Sequence, residues 1–332
     1  MEIQTVIDNF MHPAVLFFFL GLLAVAVKSD LEIPPQIAKF LGIYLLFHIG
    51  IKGGEELFHS GFSTTVLVVM AVCILGSFLI PFASYQVLKQ KLDTYNAGAI
   101  AATYGSISAV TFATCTAFLE SMNIPFGGYM VAGMALMESP AIIAGLIIIR
   151  KATNKKKEGN KSNSSRTKQG WRAILKESFF NGSVFLLIGS LVIGYLGGDV
   201  GEKELAPFVD SIFKGMLSLY MLDMGLLAGR RLSELKKSGV FLTSYAILFS
   251  PIAGSVGLAI SYALGYSEGD ALLQTILFAS ASYIAVPAAM RLAVPQANMS
   301  LLLPMSLGIT FTFNIVVGIP LYYGIIHSIW NM

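Results

Sequence analysis

The sequence has few charged residues for its length. Only 12 % of its 332 residues are charged, whereas 55 % are hydrophobic, and a soluble domain carries roughly 25 % charge. Apolar runs recur from end to end, so the composition excludes a large soluble domain. The net charge of +3 gives no indication of nucleic-acid binding.

The sequence also lacks the usual metal and nucleotide motifs. It contains no HExxH, CxxC or P-loop pattern and no nucleophile–base pair, so an enzyme or an ATP-driven pump would lack its necessary parts. Cys73 and Cys115 lie in apolar runs, which indicates small membrane-embedded residues instead of a disulfide or a metal site. Glu2 and Asp8 without nearby basic residues indicate no cleavable signal.

The apolar runs predict an all-α membrane protein of ten transmembrane helices, because a span needs about 20 apolar residues. The predicted spans are 12–28, 37–53, 62–88, 94–118, 125–149, 177–197, 207–229, 238–266, 270–291 and 298–328.

The basic residues predict the topology of these spans. Nineteen of the 22 Lys and Arg residues fall in the loops after odd-numbered spans, and only Lys52, Lys203 and Lys214 fall on the other side. The positive-inside rule assigns the basic side to the cytoplasm. We therefore expect a multi-pass membrane protein with both termini outside. The membrane is predicted to be a bacterial plasma (inner) membrane.

One basic segment divides the chain into three predicted parts. Residues 1–150 form a first five-span repeat, residues 151–172 a basic cytoplasmic linker, and residues 173–332 a second repeat. The linker has too little apolar surface to fold alone, which favours a disordered tether. The alternative is a docking strip for a regulator or for anionic lipid.

The two halves of the chain resemble each other. The span-two segment from His48 to Leu57 matches the span-seven segment from Asp223 to Leu232 at an offset of 175. Residues 105–109 of span four match residues 279–283 of span nine at an offset of 174. An odd number of spans in each repeat makes the second repeat inverted, which is a frequent transporter architecture.

Spans four and nine are too polar and too rich in Gly, Ser and Pro for lipid-facing helices. We expect both helices to unwind and cross near the bilayer centre, where free N–H groups bind an anion and free carbonyls bind Na⁺. Helix packing by small residues is the alternative for any single serine. The predicted substrate-binding residues are Gly105, Ser106, Ile107, Ser108, Ser280, Ala281, Ser282 and Tyr283.

Acidic and hydroxyl residues near these breaks predict a sodium site. A carboxylate in a span normally faces a partner or a pathway, and Glu138 has the neutral Asn314 as its counterpart in the second half. A protonated structural carboxyl is the alternative for Glu138. The predicted sodium ligands are Ser106, Ser108, Glu138, Ser282, Thr310 and Asn314. No cofactor is expected besides Na⁺ as the coupling ion.

His48 and Asp223 occupy matching positions in the two halves. One hypothesis is that they pair as imidazolium and carboxylate and hold spans two and seven together, with a structural or gating role. The other hypothesis is that each lines an aqueous vestibule independently.

Five segments resemble the sodium-dependent bicarbonate permease family, the SbtA-like transporters. They are FLGIYLLFHIGIKGGEEL, AATYGSISAVTFAT, MESPA, SASYIAVPAAMR and SLGITFTFNIVVGIPLYYGI. The resemblance implies a bile-acid-symporter-like or sodium/proton-antiporter-like fold with a gate domain and a core domain, Na⁺-driven bicarbonate import by alternating access, and a homotrimer. It also implies a PII-like cytoplasmic regulator.

Several functions compete with a sodium-coupled bicarbonate symporter. The same scaffold could carry another small anion or a carboxylate, or exchange Na⁺ for protons through Glu138. A membrane enzyme, a receptor-like binding module and a channel are further alternatives. The absence of an intramembrane Lys or Arg as a fixed counter-charge favours sodium coupling.

Overall fold

The computed structural model describes residues 11–61, 63–157, 182–235 and 239–331, and these residues form helices without any β-strand. The helices are α1 Pro13–Ala26, α2 Pro35–Ser60, α3 Thr64–Leu88, α4 Thr94–Gly105, α5 Ala109–Ser121, α6 Tyr129–Leu136, α7 Glu138–Lys157, α8 Gly182–Val209, α9 Phe213–Leu235, α10 Gly239–Ala263, α11 Glu268–Ala279, α12 Ala285–Ala293, α13 Met299–Leu303 and α14 Ile319–Trp330. Between α13 and α14 the chain is mostly π-helical, over Pro304–Phe311 and Asn314–Gly318.

Seven helical segments within the described ranges are long and apolar enough to cross a membrane. They are Pro35–His59, Thr64–Leu88, Thr94–Ser121, Tyr129–Thr153, Gly182–Val209, Gly239–Ala263 and Met299–Trp330. The helix α1 is apolar but has only 14 residues. The protein is therefore an all-α, multi-pass membrane protein, and the count of ten spans stays a prediction.

The observed helix bounds differ from the predicted spans at several positions. The predicted span 270–291 is two short helices, α11 and α12, and the predicted span 207–229 begins two residues before the end of α8. The break at Met137 between α6 and α7 and the π-helical turns after α13 were not predicted. Most of the predicted linker, from residue 158 onward, and the predicted start of span six at residue 177 lie outside the described residues.

Helices α1, α2, α8 and α9 form one packed group, which we call the four-helix group. Its two closest crossings depend on glycine. A side chain at Gly21 or Gly225 would collide with the backbone of the other helix in the α1–α9 pair, and one at Gly54 or Gly194 would do so in the α2–α8 pair. Small residues of this kind let membrane helices approach closely and gain packing energy.

The helices α3 to α7 and α10 to α14 form the second group, which contains the interruptions between α4 and α5 and between α11 and α12 and is called the broken-helix group here. Gly105, the last residue of α4, packs against Pro81 and the Ser77 carbonyl of α3. Ser77 in turn donates a hydrogen bond to the Met137 carbonyl at the α6–α7 break. Helix α3 therefore supports two of the interruptions at once.

The α2–α8 crossing can be tested with two glycines of the same helix. Gly194→Ala should lower the stability of the protein by about 1–3 kcal/mol, because its methyl group meets the Ile51 carbonyl and overpacking costs that much. Gly189→Ala is the control, since it has no neighbour within 4 Å and should be neutral or stabilising. Thermal unfolding in detergent measures both, and equal melting temperatures would contradict the close crossing.

Candidate transport site

The first interruption separates α4 from α5 at Ser106, Ile107 and Ser108. Ser106 follows the last turn of α4 with φ −98° and ψ 180°, and Ser108 precedes α5 with φ −111° and ψ 108°. The Ser108 hydroxyl accepts a hydrogen bond of 3.1 Å from the Thr111 N–H and so caps the start of α5. Serine fits both positions, because it favours extended backbone and can replace a lost helical bond.

The second interruption separates α11 from α12. Ser280 follows the last residue of α11 with φ −93° and ψ 172°, and Ile284 precedes α12. The Ser280 hydroxyl donates to the Leu277 carbonyl at 3.3 Å, and the Ser282 hydroxyl accepts from the Val286 N–H at 3.3 Å. Each serine of this break thus satisfies one backbone group of the adjoining helix.

The two interruptions are hydrogen-bonded to each other. The Ser108 N–H donates to the Ser280 hydroxyl at 3.2 Å, and the Ser282 N–H donates to the Thr103 carbonyl at 2.9 Å. All four residues are buried. Non-helical backbone at membrane depth is tolerated where its polar groups find partners inside the protein, and here each break supplies partners for the other.

The ends of the four short helices have opposite electrostatic character. Helices α5 and α12 begin at the breaks, so their free N–H groups and partial positive charge face this region. Helices α4 and α11 end there and present carbonyl oxygens. The first kind of helix end favours an anion and the second favours a cation.

A cavity of about 810 Å³ reaches the breaks from one side of the protein. Ser108, Glu138, Ser282 and Tyr283 line it in the broken-helix group, together with apolar side chains. On the other side of the breaks a cavity of only about 60 Å³ lies between α2, α5 and the start of α6. The break residues Ile107, Ser108 and Ser282 line the large cavity, whereas none of the described residues that line the small cavity belongs to a break.

Glu138 is buried at the start of α7, with 8 % of its surface exposed. Its carboxyl group has no hydrogen bond or ion pair with any residue of the described part of the chain, although it lines the large cavity with Ser108 and Ser282. A buried carboxylate without a partner is costly in a membrane protein. Such a group is suited to binding a cation.

Asn314, the counterpart of Glu138, is fully occupied by the protein. Its amide donates to the Ala279 carbonyl at 2.9 Å, and its oxygen accepts from the Ser250 hydroxyl at 2.6 Å. The Thr310 hydroxyl is similarly bonded to the Tyr104 hydroxyl at 2.9 Å and the Ala246 carbonyl at 3.0 Å. Both residues lie near the predicted site, and their side chains are used in structural contacts.

Two buried hydroxyls at the first break have no hydrogen-bond partner within the described ranges. They belong to Ser106 and Thr111, which are 1 % and 0 % exposed. Thr111 was recognised only as part of a polar run in the sequence and not as a site residue. Its spacing of three residues after Ser108, on the first turn of a helix, is the signal that could have identified it.

His48 and Asp223 do not pair with each other. The His48 Nδ1 atom lies 2.8 Å from the Val209 carbonyl, and its ring stacks on Phe213 with centroids 3.6 Å apart. Asp223 lines the large cavity, whereas His48 lines the small one. The predicted ion pair is therefore wrong, and a gating role for each residue separately stays a prediction.

The sequence did not identify Tyr220, which joins the two helix groups. The Tyr220 side chain in α9 lies beside the Tyr283 hydroxyl. The Tyr283 hydroxyl also lies beside Ser108, but it forms no regular hydrogen bond with Tyr220 or Ser108. Tyr220 precedes Asp223 by one helical turn, and both line the large cavity. The four-helix group thus contributes polar groups close to the second break.

These features define a class of protein: a helical membrane protein with a polar, partly charged cavity at two interrupted helices. Comparison with protein families identifies the family of the chain. Residues 13–327 match the Na⁺-dependent bicarbonate transporter superfamily, and the chain belongs to that family. Comparison with curated proteins gives no match. The family membership confirms the resemblance found in the sequence and accords with a protein that is not an enzyme.

The hydrogen bond from the Asn314 amide to the Ala279 carbonyl, which caps the end of α11 at the second break, can be tested with Asn314→Leu. This substitution keeps the shape of the side chain but leaves the buried Ala279 carbonyl without its partner, which should cost about 1–3 kcal/mol of stability. Thr275→Val is the control, because among the described residues the Thr275 hydroxyl bonds only to the Ala271 carbonyl of its own helix. A melting temperature for Asn314→Leu equal to that of the control would contradict the cap.

Proposed function

We propose that the protein imports bicarbonate together with Na⁺ by alternating access, with the ions bound where the two interrupted helices meet. The family consists of Na⁺-dependent bicarbonate transporters, which supports both the anion and the coupling ion. The observation that carries the proposal is Glu138, a buried carboxylate that lines the cavity and has no partner in the described structure.

The sodium site is best supported at the first break. Glu138 supplies negative charge, and the unpaired Ser106 and Thr111 hydroxyls supply neutral oxygens. The equivalent position of the second break has the Asn314 amide, which already satisfies the Ala279 carbonyl and needs no cation. We therefore place the charged sodium site in the first half of the chain, and Ser282, Thr310 and Asn314 act mainly in support.

The anion site follows from the helix ends. The starts of α5 and α12 present N–H groups to the cavity beside the Ser108 and Ser282 hydroxyls. Bicarbonate has oxygen atoms that accept hydrogen bonds from such donors. Because none of the described residues that line the cavity near the breaks is Lys or Arg, a bound Na⁺ would supply the positive charge that the anion requires.

The two cavities support alternating access. The large cavity reaches Lys39, at the end of α2 that the basic residues place in the cytoplasm. At the other end of α2, Lys52 forms ion pairs with Glu55 at 3.2 Å and with Asp210 at 3.0 Å. We infer that this conformation is open to the cytoplasm and narrow toward the outside.

The inverted-repeat proposal is supported by equivalent contacts in the two halves. Gly50 and Gly54 of α2 pack on α8, and their counterparts Gly225 and Gly229 of α9 pack on α1. In the broken-helix group, a serine of α3 bonds to the break at Met137, and a serine of α10 bonds to Asn314. These pairs favour two five-span repeats, 1–150 and 173–332.

Further parts of the proposal rest on other grounds. The distribution of basic residues supports both termini outside and a cytoplasmic linker at residues 151–172. The family resemblance supports a bacterial inner-membrane location, a homotrimer and control by a PII-like protein.

Uptake of labelled bicarbonate into proteoliposomes tests the transport proposal. Uptake should require Na⁺ and stop when choline replaces it. Glu138→Gln and Ser106→Ala should lower Na⁺-dependent uptake by roughly tenfold or more, because each removes or weakens an oxygen ligand of Na⁺, and we expect this loss to cost as much as a hydrogen bond to a charged group, about 1.5–3 kcal/mol. Ser261→Ala is the control, since in the part of the chain that the structure describes this buried hydroxyl bonds only to the Gly257 carbonyl of its own helix. Equal uptake in choline and sodium would contradict the coupling.

A second candidate function is exchange of Na⁺ for protons, which the unpaired Glu138 carboxyl also favours. Bicarbonate uptake and proton release separate the two functions. An exchanger would release protons on addition of Na⁺ in the absence of bicarbonate, and Glu138→Gln would remove that release. The symporter predicts no such release and predicts that labelled acetate or pyruvate is not taken up in place of bicarbonate.

Cysteine labelling tests the accessibility of the two sides. Ala109→Cys lines the large cavity and Thr116→Cys lines the small one, two turns further along α5. The native Cys73 and Cys115 are fully buried, so their background reaction should be low. An impermeant thiol reagent should modify position 109 from the cytoplasmic side only and should not modify position 116. The reaction at position 109 should be slower when Na⁺ and bicarbonate are present. Faster reaction at position 116 would contradict the cytoplasm-open conformation.

A further inference from the structure

A cluster of three potential metal ligands lies at the end of α2 that is remote from Lys39, well away from the breaks. It consists of His59 in the last turn of α2 and Asp199 and Glu202 in α8. The His59 Nε2 atom lies 3.3 Å from a Glu202 oxygen and 3.8 Å from an Asp199 oxygen. One ligand atom from each side chain lies within 4.8 Å of the other two.

The local backbone brings these three side chains together. Helix α8 is kinked at Gly198, whose φ of 50° and ψ of −147° are non-helical. A side chain at Gly198 would press on the Phe58 ring, which precedes His59. Beyond the kink, Asp199 and Glu202 are three residues apart and therefore share one face of the helix, which is the face toward His59.

The distances around His59 accommodate one shared ion. Two ligand atoms about 2.0–2.2 Å from one tetrahedral ion are about 3.3–3.6 Å apart, which is close to the separations around His59. Without an ion, the 3.3 Å contact of His59 with Glu202 is a long hydrogen bond, since most N–H···O bonds measure about 2.7–3.2 Å. His327 shows the ordinary arrangement, with its Nδ1 atom 2.7 Å from a Glu268 oxygen.

The charges also favour a divalent cation. Two carboxylates face a single imidazole, and within the described residues neither of them forms an ion pair with Lys or Arg. The three side chains are 40–68 % exposed, so water can complete the coordination shell. One imidazole and two carboxylates suit Zn²⁺ and related first-row divalent ions, because a nitrogen ligand disfavours Ca²⁺ and Mg²⁺.

We propose that His59, Asp199 and Glu202 form a binding site for a divalent transition-metal ion that joins the ends of α2 and α8. On the predicted topology this site faces the outside of the cell. The ion would reinforce the glycine-mediated crossing of the same two helices and thereby stabilise the four-helix group. The site is separate from the transport site, so it stands or falls independently of the proposed transport function.

Calorimetric titration with ZnCl₂ tests the site on the full-length protein, after removal of any affinity tag and of bound metal with a chelator. We expect one Zn²⁺ per chain and a higher melting temperature with Zn²⁺ than without. His59→Ala and the isosteric Glu202→Gln should weaken binding by at least about tenfold, since even loss of a group behind the ligands costs that much. His327→Ala is the matched control and should bind Zn²⁺ like the native protein.

Co²⁺ provides a second readout that does not depend on stability. The visible absorption of Co²⁺ should change on binding to the native protein and to His327→Ala, and should stay that of the hydrated ion with His59→Ala. Melting curves without metal establish that each variant is folded. No Zn²⁺ binding by the native protein, equal binding by His59→Ala, or an equal loss in His327→Ala would each overturn the proposal.

Discussion

The structure depends on the exchange of hydrogen bonds between two interrupted helices. The Ser108 N–H reaches the Ser280 hydroxyl, and the Ser282 N–H reaches the Thr103 carbonyl. An unwound segment alone would leave buried polar groups unsatisfied, at a cost of several kcal/mol each in a membrane interior. Because each break satisfies the other, both can persist at the same place, and four helix ends then face one region.

The rest of the architecture positions this crossing. Helix α3 supports the first break through Gly105 and Pro81, and Asn314 caps the carbonyl end of α11 at the second. The four-helix group has its own close glycine crossings and borders the cavity through Tyr220 and Asp223. A group of helices that packs tightly within itself and borders a cavity can move as a unit, which is what alternating access between two groups requires.

The two halves use similar positions with different chemistry. Glu138 in the first half is buried without a partner, whereas Asn314 in the second half bonds at both ends of its amide. An amide can donate to a helix-end carbonyl, but an ionised carboxylate cannot, so the first half needs a cation or a proton there. In the function proposed above, this asymmetry would let a cation bind on one side of the crossing and an anion beside it.

The sequence located both interruptions correctly, because Gly, Ser and Pro weaken a helix locally and their clustering is visible without a structure. It did not reveal the break at Met137 or the π-helical turns. The Met137 carbonyl accepts a hydrogen bond from Ser77, and Asn314 in the π-helical segment donates one to the Ala279 carbonyl, so both features involve residues distant in the chain. The His48–Asp223 pair failed for a different reason. In the inverted repeat proposed above, equivalent positions would lie on opposite sides of the midplane, so equivalence in sequence would predict symmetry and not contact.

The most direct test of the account is an experimental structure determined in Na⁺ and bicarbonate at a resolution that shows bound ions. The account predicts two interrupted helices joined through Ser108 and Ser282, with ion density beside Glu138, Ser106 and Thr111 and a second density at the starts of α5 and α12. Continuous helices through these residues, or ions bound only elsewhere, would contradict it.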